Sequence, residues 1–158
     1  MKEIIFEIRV TQLQIDELSN EFRKLAQKAL KAAETAYAFY SHFQVGAAAL
    51  LANGEIVCGS NQENAAYPSG LCAERVALFY AGAQYPGIPV CAIAVAAISD
   101  GKQVQNITPC GACRQVLLEV EKRYNSPVKI LLYNKGHVSV IESAKALLPL
   151  CFNGDELP

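Results

Sequence analysis

Two short stretches of the sequence concentrate residues able to do chemistry: Cys72-Ala73-Glu74-Arg75 and Pro109-Cys110-Gly111-Ala112-Cys113. Cys110 and Cys113 are three apart, so in a helix their sulfurs share one face and can reach one ion. With Cys72 brought in from a second helix, three soft ligands suit tetrahedral Zn2+ and leave one coordination position open. Both stretches read as helix starts, where unpaired N–H groups and a partial positive charge favour the thiolate that a metal needs. Glu74 follows Cys72 closely enough to stand beside the ion without binding it and to take a proton from an activated water. The summed charge of three thiolates exceeds that of one zinc ion, which makes such a water less acidic. Arg75 offers a remedy, because its guanidinium can hydrogen-bond ligand sulfur and draw charge away.

The same cysteines admit blander readings. They can be inert buried thiols, a closed four-ligand staple that recruits Cys58, Cys91 or Cys151, or a redox pair at Cys110 and Cys113. A staple gives Glu74 no task, and a redox Cys-x-x-Cys belongs to a different strand-helix-strand context. Cys58, Cys91 and Cys151 read as core or interface thiols. Cys-x-x-Cys alone is a weak signal; joined to Cys-x-Glu it is specific.

The elements that must position these residues follow from periodicity. Ile15, Leu18, Phe22, Leu25, Ala29, Ala33 and Ala36 recur at intervals of three or four with charges between them, which predicts an amphipathic helix. Val45–Ala52 and Glu55–Gly59 flank Asn53-Gly54 and read as a hairpin with a two-residue turn. Cys72–Ala83 has helical composition, and Val90–Ser99 is a continuous apolar run of the kind buried on both faces of a central strand. Pro109 suits the first turn of a helix over Cys110–Tyr124. Val128–Tyr133 and His137–Ile141 read as strands, and Glu142–Leu148 as a closing short helix. This order predicts a layered α/β domain over residues 1–158. Residues 1–14 form an extension in which Ile4, Phe6, Ile8 and Val10 alternate as in an added edge strand.

Composition bounds the function. A chain of 158 residues supports one sizeable core. Charged residues make up 18%, against about 25% in ordinary soluble domains, which points to subunit partners. A net charge of −1 with no basic run argues against a phosphate-backbone ligand. Lys2, Glu3, Glu7 and Arg9 interrupt the first ten residues, so a secretory signal is not expected. No stretch reaches about 18 unbroken apolar residues, so no membrane span is expected either. A cytoplasmic protein with reduced thiols fits these features.

From about Ala36 to Phe152 the chain resembles the small, homotetrameric cytidine deaminases. Four segments carry the resemblance, beginning with Tyr40-Ser41-His42-Phe43-Gln44-Val45-Gly46-Ala47-Ala48 and Asn61-Gln62-Glu63-Asn64-Ala65-Ala66-Tyr67-Pro68. The others are Cys72-Ala73-Glu74-Arg75 and Pro109-Cys110-Gly111-Ala112-Cys113-Arg114-Gln115, with Leu147-Leu148-Pro149 and Phe152 as a fifth. The zinc motif with a non-ligand glutamate is the signature of zinc deaminases. Phe39 stands where many members have proline and Ala66 where some have cysteine, and neither touches the zinc motif.

The resemblance implies a three-layer α/β/α fold with a mixed five-stranded sheet. It implies one Zn2+ per subunit, held by Cys72, Cys110 and Cys113, with Arg75 compensating charge. It implies hydrolytic deamination of cytidine and 2'-deoxycytidine in pyrimidine salvage, zinc-bound hydroxide attacking C4 while Glu74 shuttles protons. Asn61 and Glu63 then grip the sugar hydroxyls, Phe43 packs on the pyrimidine, and the Ala73 N–H and Glu74 read the base edge. Tyr67 and Phe152 complete a neighbouring subunit's pocket. His42 falls outside the ligand set and reads as structural or pocket-lining, and His137 as a surface strand residue. Alternatives of the same chemistry are a nucleoside-antibiotic deaminase, which Asn61 and Glu63 disfavour, and a nucleic-acid editing deaminase, which the charge disfavours.

Overall fold

A run of small and branched apolar residues with little charge can be covered on both faces, and this chain builds its sheet from two such runs. The computed structural model describes residues 1–155 and 157; Pro158, the expected end of the domain, lies outside them. In chain order the elements are β1 (Thr11–Leu13), α1 (Asn20–Ala33), β2 (Phe43–Leu51), β3 (Ile56–Ser60) and α2 (Ala73–Gln84), then β4 (Val90–Ser99), β5 (Lys102–Gln103), α3 (Gly111–Tyr124), β6 (Lys129–Asn134) and β7 (His137–Ile141). The sheet runs β1-β7-β6-β4-β2-β3, with β5 paired to the end of β4. Among the strands of the described residues only β4 and β6 pair in parallel, so the sheet is mixed.

β4 is central, as its unbroken apolar sequence requires, and Ala92–Ala97 is fully buried. Alternate residues serve opposite faces. Ala48, Leu50, Ala92, Ala94 and Leu131 pack with Leu25, Ala26 and Ala29 of α1. On the other face Ala47, Ala49, Ile93, Val95 and Ile130 pack with Ala77 and Leu78 of α2 and Leu117 and Val120 of α3. The three-layer α/β/α arrangement follows.

Two glycines set how closely the layers approach. A Cβ at Gly46 would lie 2.0 Å from the Ala29 carbonyl oxygen of α1. At Gly59 it would lie 2.7 Å from the Ala73 carbonyl oxygen and 2.6 Å from the Ala77 nitrogen of α2. Gly59 therefore lets the first turn of α2, which begins just after Cys72, sit directly against β3.

Several expectations are corrected. Among the described residues the sheet has seven strands, not five, because β1 and the two-residue β5 extend its core. In the N-terminal extension only Thr11–Leu13 forms the added edge strand, against β7, and Ile4, Phe6, Ile8 and Val10 lie outside it. α1 starts at Asn20, where the Ser19 hydroxyl accepts the Phe22 N–H, and a separate 3-10 turn takes Ile15–Glu17. The hairpin turn is not two left-handed residues. Gly54 alone has positive φ, +87°, and its N–H closes on the Leu51 carbonyl, because the Asn53 side chain accepts the Glu55 N–H instead. Pro109 sits one residue before the N-cap Cys110, and Glu142–Leu148 contributes a 3-10 turn, Ala144–Leu147, rather than an α-helix. Cys58 and Cys91 are exposed and Cys151 is half-buried, so none of them is a core thiol. His137 is half-buried rather than fully on the surface, near Gln12 and Asn134. No helix among the described residues is long and apolar enough to cross a membrane.

Candidate metal centre and adjoining cavity

Cys72 is the N-cap of α2, Cys110 is the N-cap of α3 and Cys113 lies in the first turn of α3. The two helices start side by side on the same face of the sheet, and their first turns bring the three sulfurs within 4.8 Å of one another. Cys72 and Cys110 Sγ are 3.7 Å apart, while Cys113 is buried behind them. Both helix N-termini thus direct positive partial charge at one cluster of sulfur. The Cys72 thiol is pulled down to about 5, first by a hydrogen bond with Cys113 and then by Arg75, whose Nη2 donates to Cys72 Sγ at 3.6 Å. Cys113 is pushed up by the same shared hydrogen bond and by burial, so the proton rests there while Cys72 carries the negative charge. Three convergent sulfurs with a thiolate among them and a cation alongside fit a soft divalent ion such as zinc. The Nε of Arg75 is buried without a partner among the described residues, and its Nη2 contact with Cys72 Sγ sets the cation beside the cluster.

Glu74 is 4% exposed, in the first turn of α2. Burial pushes its carboxyl above the usual carboxylate range; its own N–H offsets part of this, and the Cys72 charge adds to the rise. Its neighbourhood opens into a cavity of about 610 Å3. Phe43, Asn61, Glu63, Tyr67, Glu74 and Arg75 all line it, together with Cys72 and Cys110.

Another part of the cavity wall is organised by the loop before β2. The Glu63 carboxylate accepts the Tyr40 N–H at 2.8 Å, the Ser41 N–H at 3.2 Å and the Ser41 hydroxyl. These contacts hold it below the usual range, the Ser41 hydroxyl acting most strongly. That hydroxyl in turn accepts the Phe43 N–H at 3.1 Å, so one side chain ties the carboxylate to the aromatic. Between them His42 has φ +55°, a left-handed conformation that turns the loop back. Asn61 mimics a further strand residue: its Oδ1 accepts the Val45 N–H at 2.7 Å and its Nδ2 donates to the Phe43 carbonyl at 3.0 Å.

The other expected residues are distributed around the cavity and beyond it. Tyr67 lines this chain's own cavity, packed edge-on against Tyr40. Ala73, next to the lining residues Cys72 and Glu74, is fully buried, and His42, between Ser41 and Phe43, is exposed. Phe152 is 65% exposed and does not line the cavity; its carbonyl accepts a hydrogen bond from Gln115 on α3. Tyr40, Ser41, Leu71, Ile107 and Thr108 line the cavity without having been assigned a part. Ile107 and Thr108 directly precede Pro109-Cys110, a proximity to the metal motif that was the available signal.

Residues 19–125 match the sequence profile of the cytidine and deoxycytidylate deaminase zinc-binding region. A cytidine deaminase of Halalkalibacterium halodurans is 40% identical over 134 residues, which span 84% of this chain and 95% of that protein. One from Sporosarcina psychrophila is 41% identical over 139 residues, 87% of this chain and 95% of the relative. The crystal structure of cytidine deaminase from Burkholderia pseudomallei superposes with a TM-score of 0.71 at 39% identity, covering 85% of this chain and all of the other. With three sulfurs gathered at two helix starts, a buried glutamate beside them and this match across most of its length, the chain belongs to the cytidine and deoxycytidylate deaminase zinc-binding family.

Proposed function

We propose that this chain hydrolyses cytidine and 2'-deoxycytidine to the corresponding uridine nucleosides and ammonia. The observation that carries the proposal is the cavity itself: Glu74, Cys72 and Cys110 line it together with Phe43, Asn61 and Glu63. Cys72, Cys110 and Cys113 would hold one zinc ion per subunit. When bound, zinc supplies a Lewis acid that makes water nucleophilic near neutral pH.

The chain's own residues do the rest. Glu74 takes a proton from the water that adds at C4 and gives it to N3 of the ring. It then carries the second proton to the exocyclic amine, which departs as ammonia, so water supplies every atom that is gained. A carboxyl whose burial raises its pKa suits both directions of transfer. Phe43 packs against the pyrimidine face, and the Ala73 N–H and Glu74 read the base edge. Glu63 and the free hydrogen-bonding capacity of Asn61 hold the sugar hydroxyls. Arg75 withdraws charge from Cys72.

Residues 1–158 act in this reading as one catalytic domain that assembles as a homotetramer in the cytoplasm. Exposed aromatics support an assembly: Phe152 is 65% and Tyr67 73% exposed. The net charge of −1 favours a free nucleoside over a nucleic acid.

A spectrophotometric panel of cytidine, 2'-deoxycytidine, cytosine and dCMP tests reaction, sugar and phosphate together. Turnover of both nucleosides, with the base and the nucleotide poor substrates, is expected. Preference for cytosine, or a mobility shift with single-stranded RNA at physiological salt, would refute the assignment.

A further inference from the structure

The segment before β1 is the least accounted-for part of the molecule. Residues 1–10 lie outside every strand and helix, and Ile4, Phe6, Ile8 and Val10 are 67%, 52%, 48% and 49% exposed. In an extended conformation they would share one face, while Ile5, Glu7, Arg9 and Thr11 would share the other. The segment runs directly into β1, which is the outermost strand of the sheet and pairs with β7 along one edge only. No strand among the described residues pairs with its second edge, whose N–H and C=O groups lie in line with the segment.

We propose that this arm pairs antiparallel with the same arm of a second copy of the chain, with Ile8 opposite Ile8 on the two-fold axis. Charge and register point to that partner. In this register Glu7 of each copy faces Arg9 of the other, and Phe6 faces Val10, so each face meets its like. Sliding the pairing by one residue on each strand sets Glu7 against Glu7 or Arg9 against Arg9. A longer slide, centred on Phe6, also matches charges, Glu3 with Arg9, but withdraws the arm from the partner's sheet. Centred on Ile8, residues Ile4 and Ile5 reach Gln12 and Thr11 of the second copy, on the open edge of its β1. The two sheets then join through a shared two-stranded ribbon, an isologous contact of the kind a two-fold axis generates. A membrane surface is the weaker partner. The arm carries Lys2 and Arg9 against Glu3 and Glu7, with no excess of basic charge to draw it to anionic lipid.

Hydrogen exchange on the full chain tests this. Amides of residues 4–10 should be protected at high protein concentration and exchange faster on dilution. Glu7→Arg or Arg9→Glu alone should speed their exchange by about tenfold, and the double variant Glu7→Arg/Arg9→Glu should restore protection. A short thiol cross-linker should join Ile8→Cys chains through Cys at position 8, mapped by mass spectrometry apart from the native thiols, and should fail to join Phe6→Cys chains through position 6. Unprotected arms, a double variant no better than the single ones, or self-linkage at position 6 in place of position 8 would overturn the proposal. So would arm-dependent sedimentation with phosphatidylglycerol vesicles.

Discussion

Glu74 and Glu121 are buried carboxylates on neighbouring helices of the same layer, 4% and 9% exposed, and the fold houses them in opposite ways. Glu121 receives four donors: the Val128 N–H at 2.7 Å, the Ala144 N–H at 2.6 Å, the Lys145 N–H at 3.1 Å and the Ser143 hydroxyl at 3.0 Å. It fastens α3 to the start of β6 and to the 3-10 turn that follows β7. Glu74 has its own N–H and the Cys113 thiol nearby, and its remaining capacity faces a cavity. A buried acid whose lone pairs are all taken is a structural pin, whereas one with lone pairs aimed at open space is equipped to exchange protons.

Glu74→Gln should have the largest effect. It keeps shape and removes proton transfer, so kcat should fall by about a thousandfold, while zinc content and Tm stay near those of the parent. Retention of a tenth of kcat in a steady-state assay would break the distinction from the catalytic side. Glu121→Gln tests the other side. It turns one acceptor oxygen into an amide that faces N–H donors, leaving buried groups unpaired at a cost of about 3 kcal/mol. In a chain of this size that lowers Tm by roughly 6–12 °C, measured by calorimetry, while kcat per folded molecule is retained. Loss of turnover without loss of Tm would show that the two carboxylates are not different in kind.

What the sequence disclosed follows the same division. Cys72, Glu74, Cys110 and Cys113 were legible because their geometry is local: helix starts and intervals of two or three residues set it. β4 was legible because burial on both faces leaves an unbroken apolar run. Glu121 was silent, since its donors come from Val128 and Ser143–Lys145, on segments that meet it only in the fold. The same holds for Ser41, whose tie to Glu63 spans 22 residues. The place of Tyr67 over this chain's own cavity was silent too, since it depends on Gln62 bridging to Leu71 and folding the intervening loop back.

Arg75→Gln addresses how Glu74's surroundings are kept workable. The substitution removes the donor to Cys72 Sγ and the charge beside the cluster, so zinc affinity or kcat should fall by about tenfold. Competition with a chromogenic chelator and steady-state kinetics read the two effects separately. Unchanged values for both would reject the charge-compensating role.

Glu63 is a third case, a carboxylate held by several donors yet lining the cavity, and Ser41→Ala sharpens the comparison by unfastening it. The hydroxyl both donates to Glu63 and accepts the Phe43 N–H, so its loss loosens the hold on the sugar and should raise KM by about fivefold with kcat little changed. Ser41→Thr keeps the hydroxyl and should restore KM. The pH profile separates a positioning role from general loosening. Ser41 is the main cause of Glu63's lowered pKa, with the Tyr40 and Ser41 N–H groups and the His42 charge adding to it. A lowered pKa keeps the carboxylate ionised to lower pH, and its grip fails only as pH falls through that value. Without Ser41 the pKa rises, so the acid-side increase in KM should begin at higher pH than in the parent. In Glu63→Gln, which does not titrate, Ser41→Ala should leave the acid limb where it is, and the two substitutions should be less than additive in KM.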